Sequence, residues 1–117
     1  MLPSEHRMRR SADFSRTVRD GARAGRRSLV VHLATGEAGA PVVGFVVPRS
    51  VGGAVVRNRV KRRLRALVRE RLSSFGAAES LVVRALPAAA DATFETLGTD
   101  LDGAMRTARR RAEPSRG

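Results

Sequence analysis

Between Arg57 and Arg71 the chain sets eight cations (Arg57, Arg59, Lys61, Arg62, Arg63, Arg65, Arg69 and Arg71) against one anion, Glu70. Guanidinium groups at this density suit one kind of chemistry above others. They donate charge-assisted, often paired hydrogen bonds to phosphate oxygens. The same stretch keeps an apolar stripe at helical spacing: Val56, Val60, Leu64, Leu67 and Val68. A disordered basic tail needs no such stripe, whereas a helix docked on a core does. At about 100° per residue, Asn58, Arg62, Arg65 and Arg69 fall opposite the stripe. Lys61 borders one edge of it, and Arg59 and Arg63 border the other. The expected product is a rigid row of cations facing a polyanion.

The rest of the composition agrees. The chain has 117 residues, a formal net charge of +12 at pH 7 and 42% apolar residues. That is enough for one modest core and hence a single domain. Within residues 1–117, residues 1–10 read as a mobile basic arm, 11–110 as the folded body and 111–117 as a basic tail. Positive charge spread over a folded body must be offset by packing or by a polyanionic partner, with nucleic acid the leading partner and an anionic membrane surface second. Cysteine is absent, which excludes disulfides, thiolate metal sites and a cysteine nucleophile. No apolar run approaches the ~18 residues of a membrane helix, and MLPSEHRMRRSADF has no apolar signal region. A cytoplasmic location is the default expectation. Lysine occurs once and arginine 22 times, a bias expected of a GC-rich genome. The four phenylalanines (Phe14, Phe45, Phe75 and Phe94) are the only aromatics, so base stacking has few platforms.

No catalytic constellation stands out. His6 lies in the basic arm, and His32 is alone on an expected strand, where it reads as a half-buried, hydrogen-bonded residue. There is no phosphate loop, HExxH or GxSxG pattern. Asp100 and Asp102 point apart on a helix. Asp91 and Glu95 sit at a helix start, where the dipole favours anions. These carboxylates read as a solvated face, not a metal site.

The elements that must carry the cations follow from periodicity. Ser11 caps a short helix over residues 12–20, with Asp13 in its first turn and Gly21 ending it. Phe14 and Val18 share one face of this helix, which periodicity alone assigns to the core. Residues 28–34 form a strand. VVGFVV at 42–47 forms a second, apolar throughout and therefore expected to be buried on both faces. Residues 51–53 are a turn or a short extra strand. The basic helix spans about 54–73, and a third strand covers 81–86. Asp91 is expected to cap a last helix whose inner face holds Phe94, Leu97, Leu101, Ala104, Met105 and Ala108, and which gives way to a basic tail from Arg109. The class is α+β: a small mixed sheet with about three helices in αββ(β)αβα order.

One segment is more specific than periodicity. VGGAVVRNRVKRRLR, Val51–Arg65, resembles the VGxAVxRNRxKRxxR signature of the bacterial ribonuclease P protein subunit, with Arg57-Asn58-Arg59 as its RNR core. Asp13-Phe14 followed by Gly21 resembles that family's DFxxVxxxG start, and the elements come in the family's order. The likeness covers roughly residues 7–110. It implies a two-layer sandwich with an unusual left-handed βαβ crossover, like that of a domain of a small-subunit ribosomal protein, against the usual right-handed rule. It implies a protein that assists a catalytic RNA in removing the 5′ leader of precursor tRNA. Mg²⁺ would be held mainly by that RNA and the substrate, and the protein would have no catalytic residue of its own.

Carried over by position, the RNA-subunit face would use Arg57, Asn58, Arg59, Lys61, Arg62 and Arg65. The leader would meet Phe14, Val18 and Arg49. Val18 stands where the family commonly has a second aromatic, and Ser50 and Gly53 stand where lysines are common, so leader binding would lean on phosphates more than on stacking. The implied partners are the catalytic RNA and precursor tRNA, with no membrane and no obligate protein partner. A ribosomal-type RNA-binding module is the competing reading. A DNA-binding protein fits less well, since no helix-turn-helix spacing or dimerisation segment is evident.

Overall fold

Alternating burial along one strand organises the molecule. In the computed structural model, which describes residues 11–35, 42–75 and 79–112, strand Leu29–Thr35 is buried along almost its whole length. Its odd positions, Leu29, Val31 and Leu33, enter the main hydrophobic core. Its even positions, Val30, His32 and Ala34, are buried outside that core, as the two-residue period of a strand requires. This strand is β2 of a four-stranded mixed sheet.

The other strands are β1 (Ala22–Gly25), β3 (Val42–Val46) and β4 (Glu79–Ala85), in spatial order β1-β2-β4-β3. β2 pairs antiparallel with both β1 and β4, while β3 pairs parallel with β4. The helices are α1 (Ser11–Asp20), α2 (Ala54–Glu70) and α3 (Phe94–Ala112). Because β3 and β4 run parallel, the chain must cross over between them, and α2 is that crossover.

One layer is built by α2 and α3. Val60, Leu64, Leu67 and Val68 of α2 and Leu97, Leu101, Ala104, Met105 and Ala108 of α3 join Leu29, Val31, Leu33, Leu81 and Val83 in one core. The two helices close in at Gly98, where a Cβ would lie 3.1 Å from Leu67 Cδ2 and 3.2 Å from Arg71 Nη2. The ten-residue α1 packs on β2 and β4 across the other face. The α+β class and the three-helix count agree with the sequence.

Several local expectations are corrected. The fourth strand is not at 51–53, where the turn reading holds: a 3₁₀ turn over Arg49–Val51 leads through Gly52 and Gly53 into α2. It is β1, whose ARAG lacks the β-branched residues that mark a strand and is held by pairing with β2. β3 is not buried on both faces: as an edge strand it buries only Val43 and Gly44 and leaves Val42, Phe45 and Val46 half-exposed. Asp91 closes a 3₁₀ turn over Pro87–Ala90, and α3 is capped by Thr93, whose Oγ1 accepts from Thr96 N at 3.0 Å. α3 does not dissolve at Arg109 but continues through Ala112. The basic helix ends at Glu70, and Leu72–Ser74 form a 3₁₀ turn. The 1–10 arm and residues 113–117 lie outside the described residues, as do the side chains of Ser11 and Asp13 assigned to capping α1.

Candidate nucleic-acid interface

The entry to α2 explains how so charged a helix is held. Gly52 adopts φ 157°, and a Cβ there would meet Val56 Cγ1 at 2.9 Å, so the chain turns into the helix on a glycine. Val60, Leu64 and Val68 are fully buried and anchor the inner face. Around that anchor the cations divide into two groups.

The first group is tied to the protein. Arg59 Nη2 donates to Ala90 O at 3.0 Å, and Arg63 Nη1 donates to Ala92 O at 3.1 Å. Both arginines border the stripe, as the helical wheel requires, and both are half-buried. They clamp α2 to the segment leading into α3. Arg71 is held by Asp102 and by Leu67 O.

The second group faces outward. Arg62 and Arg69 are exposed, Lys61 and Arg65 are half-exposed, and Asn58 is exposed beside them. Arg62, Arg65, Ala66, Arg69 and Glu70 line a shallow groove on the helix's outer surface. Among the described residues none of Arg57, Arg59, Lys61, Arg62, Arg63, Arg65 or Arg69 has a carboxylate within salt-bridge distance. The like charges repel at one-turn spacing, and packing beneath them supplies the support. Arg57 is half-buried, and its Nε is enclosed without a hydrogen-bond partner, as is that of Arg59. Val55, 80% exposed, stands at the N-terminal tip of this surface.

The opposite face of the sheet holds the other candidate residues. α1 turns Thr17 fully inward and leaves Phe14 half-buried. Val18 is 45% exposed, so the core assignment for the Phe14–Val18 face fails. A ten-residue helix on a wide sheet covers too little for both positions to be enclosed. Arg49 is exposed on the connection between β3 and α2.

His32, only 8% exposed, is more deeply buried than expected, and its Nδ1 has no hydrogen-bond partner among the described residues. Burial first, then the charges of Arg23 and Arg84, holds its imidazole below the ordinary value. Sequence reasoning missed Arg23 and Arg84, which sit on the same strand face as His32. Their signal was the alternation itself: Arg84 is an exposed residue between buried Val83 and buried Ala85.

Two of the four carboxylates weighed as ligands, Asp100 and Asp102, have structural partners, and Asp91 and Glu95 are exposed. Asp100 Oδ2 accepts from Ser28 Oγ at 2.5 Å and Ser28 N at 3.2 Å, and Asp102 holds Arg71. Among the described residues no three His, Cys, Asp or Glu side chains gather as metal ligands. No described helix is long and apolar enough to cross a membrane.

A rigid arginine-faced helix on one side of a small mixed sheet, with a partly open face on the other, defines an α+β protein whose charge suits a nucleic-acid backbone. The comparisons with known proteins specify which. The ribonuclease P family model matches residues 2–109. The ribonuclease P protein component of Streptomyces bikiniensis is 54% identical over 115 residues, covering 91% of this chain and 94% of the relative. That of Beutenbergia cavernae is also 54% identical, covering 97% and 96%. Solved structures of the Staphylococcus aureus RNase P protein superpose with TM-scores of 0.82 (a mutant, 28% identical, covering 89% of this chain and 88% of that one) and 0.77 (27% identical, covering 93% of each). The chain belongs to the ribonuclease P protein family, the protein component of a ribonucleoprotein endoribonuclease. The actinobacterial sources of the relatives agree with the GC-rich bias read from the arginines.

Proposed function

We propose that α2 seats the protein on the catalytic RNA and that the α1 face of the sheet receives the 5′ leader of precursor tRNA. The observation that carries the reading is the division of the α2 cations. Arg59 and Arg63 fix the helix, while Asn58, Lys61, Arg62 and Arg65 are turned outward with no carboxylate to neutralise the cations. Rigid, unneutralised guanidinium groups suit phosphates held at fixed positions in a folded RNA. Arg57, beside them, completes the row.

On the other face, Phe14 and Val18 offer an apolar strip, and Arg23 and Arg84 offer charge across the strands. A single strand needs both. With one aromatic on α1, phosphate contacts carry more of the leader affinity than stacking does. Arg49, exposed on the β3–α2 connection, would meet the leader where it nears the catalytic RNA. Mg²⁺ is assigned to the RNA and the substrate, as the resemblance implies; among the described residues no three His, Cys, Asp or Glu side chains gather as ligands. The reaction would take place in the cytoplasm.

The test is reconstitution. The chain is mixed with a bacterial ribonuclease P RNA at physiological Mg²⁺, and cleavage of a 5′-labelled precursor tRNA is followed. Faster cleavage at the mature 5′ end, absent with protein alone, is the expected result. Tight RNA binding without rate enhancement would overturn it. In the leader arm, Phe14→Ala weakens binding of precursor tRNA and leaves affinity for mature tRNA unchanged.

A further inference from the structure

The turn that follows α2 and the C-terminal half of α3 line a second groove that the α2 motif does not include. Arg71, Asp102, Arg106, Arg109 and Arg110 line it, together with Ser74 and Met105. Four arginines thus face one aspartate. Two of the four are fixed. Arg71 is bound to Asp102 through both carboxylate oxygens. Arg109 donates to Ser74 O at 3.2 Å, reaches Glu79 at 3.5 Å and lies 5.5 Å from the centre of the Phe75 ring.

Arg106 and Arg110 differ from these. Both are exposed, and neither makes a hydrogen bond or salt bridge among the described residues. They stand four apart on one helix face, where like charges repel. The α3 dipole accounts for arginine in the last turn only, and Arg106 lies six residues before the end of the helix at Ala112. Among the described residues Asp102, one turn before Arg106, is the one anion near the pair, and both its oxygens are already engaged by Arg71; Arg110 has no anionic partner among them.

We propose that Arg106 and Arg110 form a second contact to the backbone of the catalytic RNA, so that its footprint runs from the α2 row onto α3. Charge complementarity identifies a phosphodiester chain. The layer identifies which chain: α2 and α3 share one face of the sheet, and the leader is assigned to the other. The Arg71–Asp102 bridge fixes the groove walls in advance, so binding need not order them. This inference rests on the reading that α2 meets the catalytic RNA.

The experiment compares the salt dependence of binding to a bacterial ribonuclease P RNA for the wild-type chain and three variants. These are Arg106→Ala/Arg110→Ala, Arg62→Ala, and Arg19→Ala/Arg27→Ala, the last removing two exposed charges elsewhere. If two phosphates are lost, the log–log slope of the Arg106/Arg110 variant becomes shallower by about 1.8. Between about 50 and 200 mM salt its affinity deficit then shrinks about tenfold. The Arg19/Arg27 variant keeps a slope close to wild type, and thermal melting of all three stays near wild type. An unchanged slope for Arg106→Ala/Arg110→Ala, or an equal change in the Arg19/Arg27 variant, would overturn the second contact. Failure of the α2 reading would show separately, as an Arg62→Ala slope equal to wild type.

Discussion

Arg71 grips Asp102 with both ends of its fork: Nε lies 2.5 Å from Oδ1 and Nη2 lies 3.1 Å from Oδ2. The bridge joins the end of α2 to the middle of α3, and Arg71 Nη1 also donates to Leu67 O at 2.8 Å. Gly98 supplies the space that brings this guanidinium against α3.

The bridge should leave a signature in acid. The hydrogen bond from Arg71 holds the Asp102 carboxyl below its ordinary value. A group depressed in the folded state contributes stability above its unfolded value and loses that contribution as pH falls through the folded value. Asp102→Asn therefore lowers stability at neutral pH, by about 1 kcal/mol or less because the pair is partly exposed. In urea unfolding the gap to wild type closes as the medium is acidified. A gap that persists below the carboxylate range would remove the ionic account.

His32 gives a second pH dependence with the same sign from a different cause. Burial, with Arg23 and Arg84 nearby, favours the neutral ring. Stability from that neutral ring is complete above the ordinary imidazole value, and it is lost as pH falls from there through the folded value. The wild-type melting temperature should drop on acidification across this window, and His32→Leu should flatten that part of the curve. An identical profile in the variant would assign the drop to other groups.

Leu64 is fully buried beneath the arginine row. Leu64→Ala is expected to cost about 2–5 kcal/mol. Wild-type melting in this variant would mean that the stripe is not core.

Arg59 and Arg62 separate structure from binding, three residues apart. Arg62→Ala should weaken RNA affinity and leave melting unchanged. Arg59→Ala also releases Ala90 O, and should lower stability by about 1–3 kcal/mol, the range for leaving a buried acceptor without its partner. Melting curves and RNA titrations on both variants check this. Equal melting in the two would show that the Arg59 clamp adds nothing to the fold.

The strongly periodic parts of the molecule were legible in the chain. β2, α2 and α3 carry long apolar runs or stripes, and their inner residues are the ones the structure buries. β1 was not legible because its four residues are held by pairing, not by propensity. Nor was the extent to which α1 leaves the sheet open, which decides that Val18 stays exposed. The RNR segment announced itself by charge and motif. Charge alone did not distinguish Arg59 and Arg63, each tied to a backbone carbonyl of Ala90 or Ala92, from Arg62 and Arg65 facing outward. That distinction depends on a segment about thirty residues further along the chain.

Alternation along β2 has a consequence for how such a protein changes over generations. Leu29, Val31 and Leu33 answer to the packing of α2 and α3, and Val30, His32 and Ala34 answer to the α1 face. Neighbouring codons therefore serve different layers. A substitution at an even position alters the ground beneath α1, and one at an odd position alters the seat of the arginine helix. One strand thus lets the two faces be tuned separately.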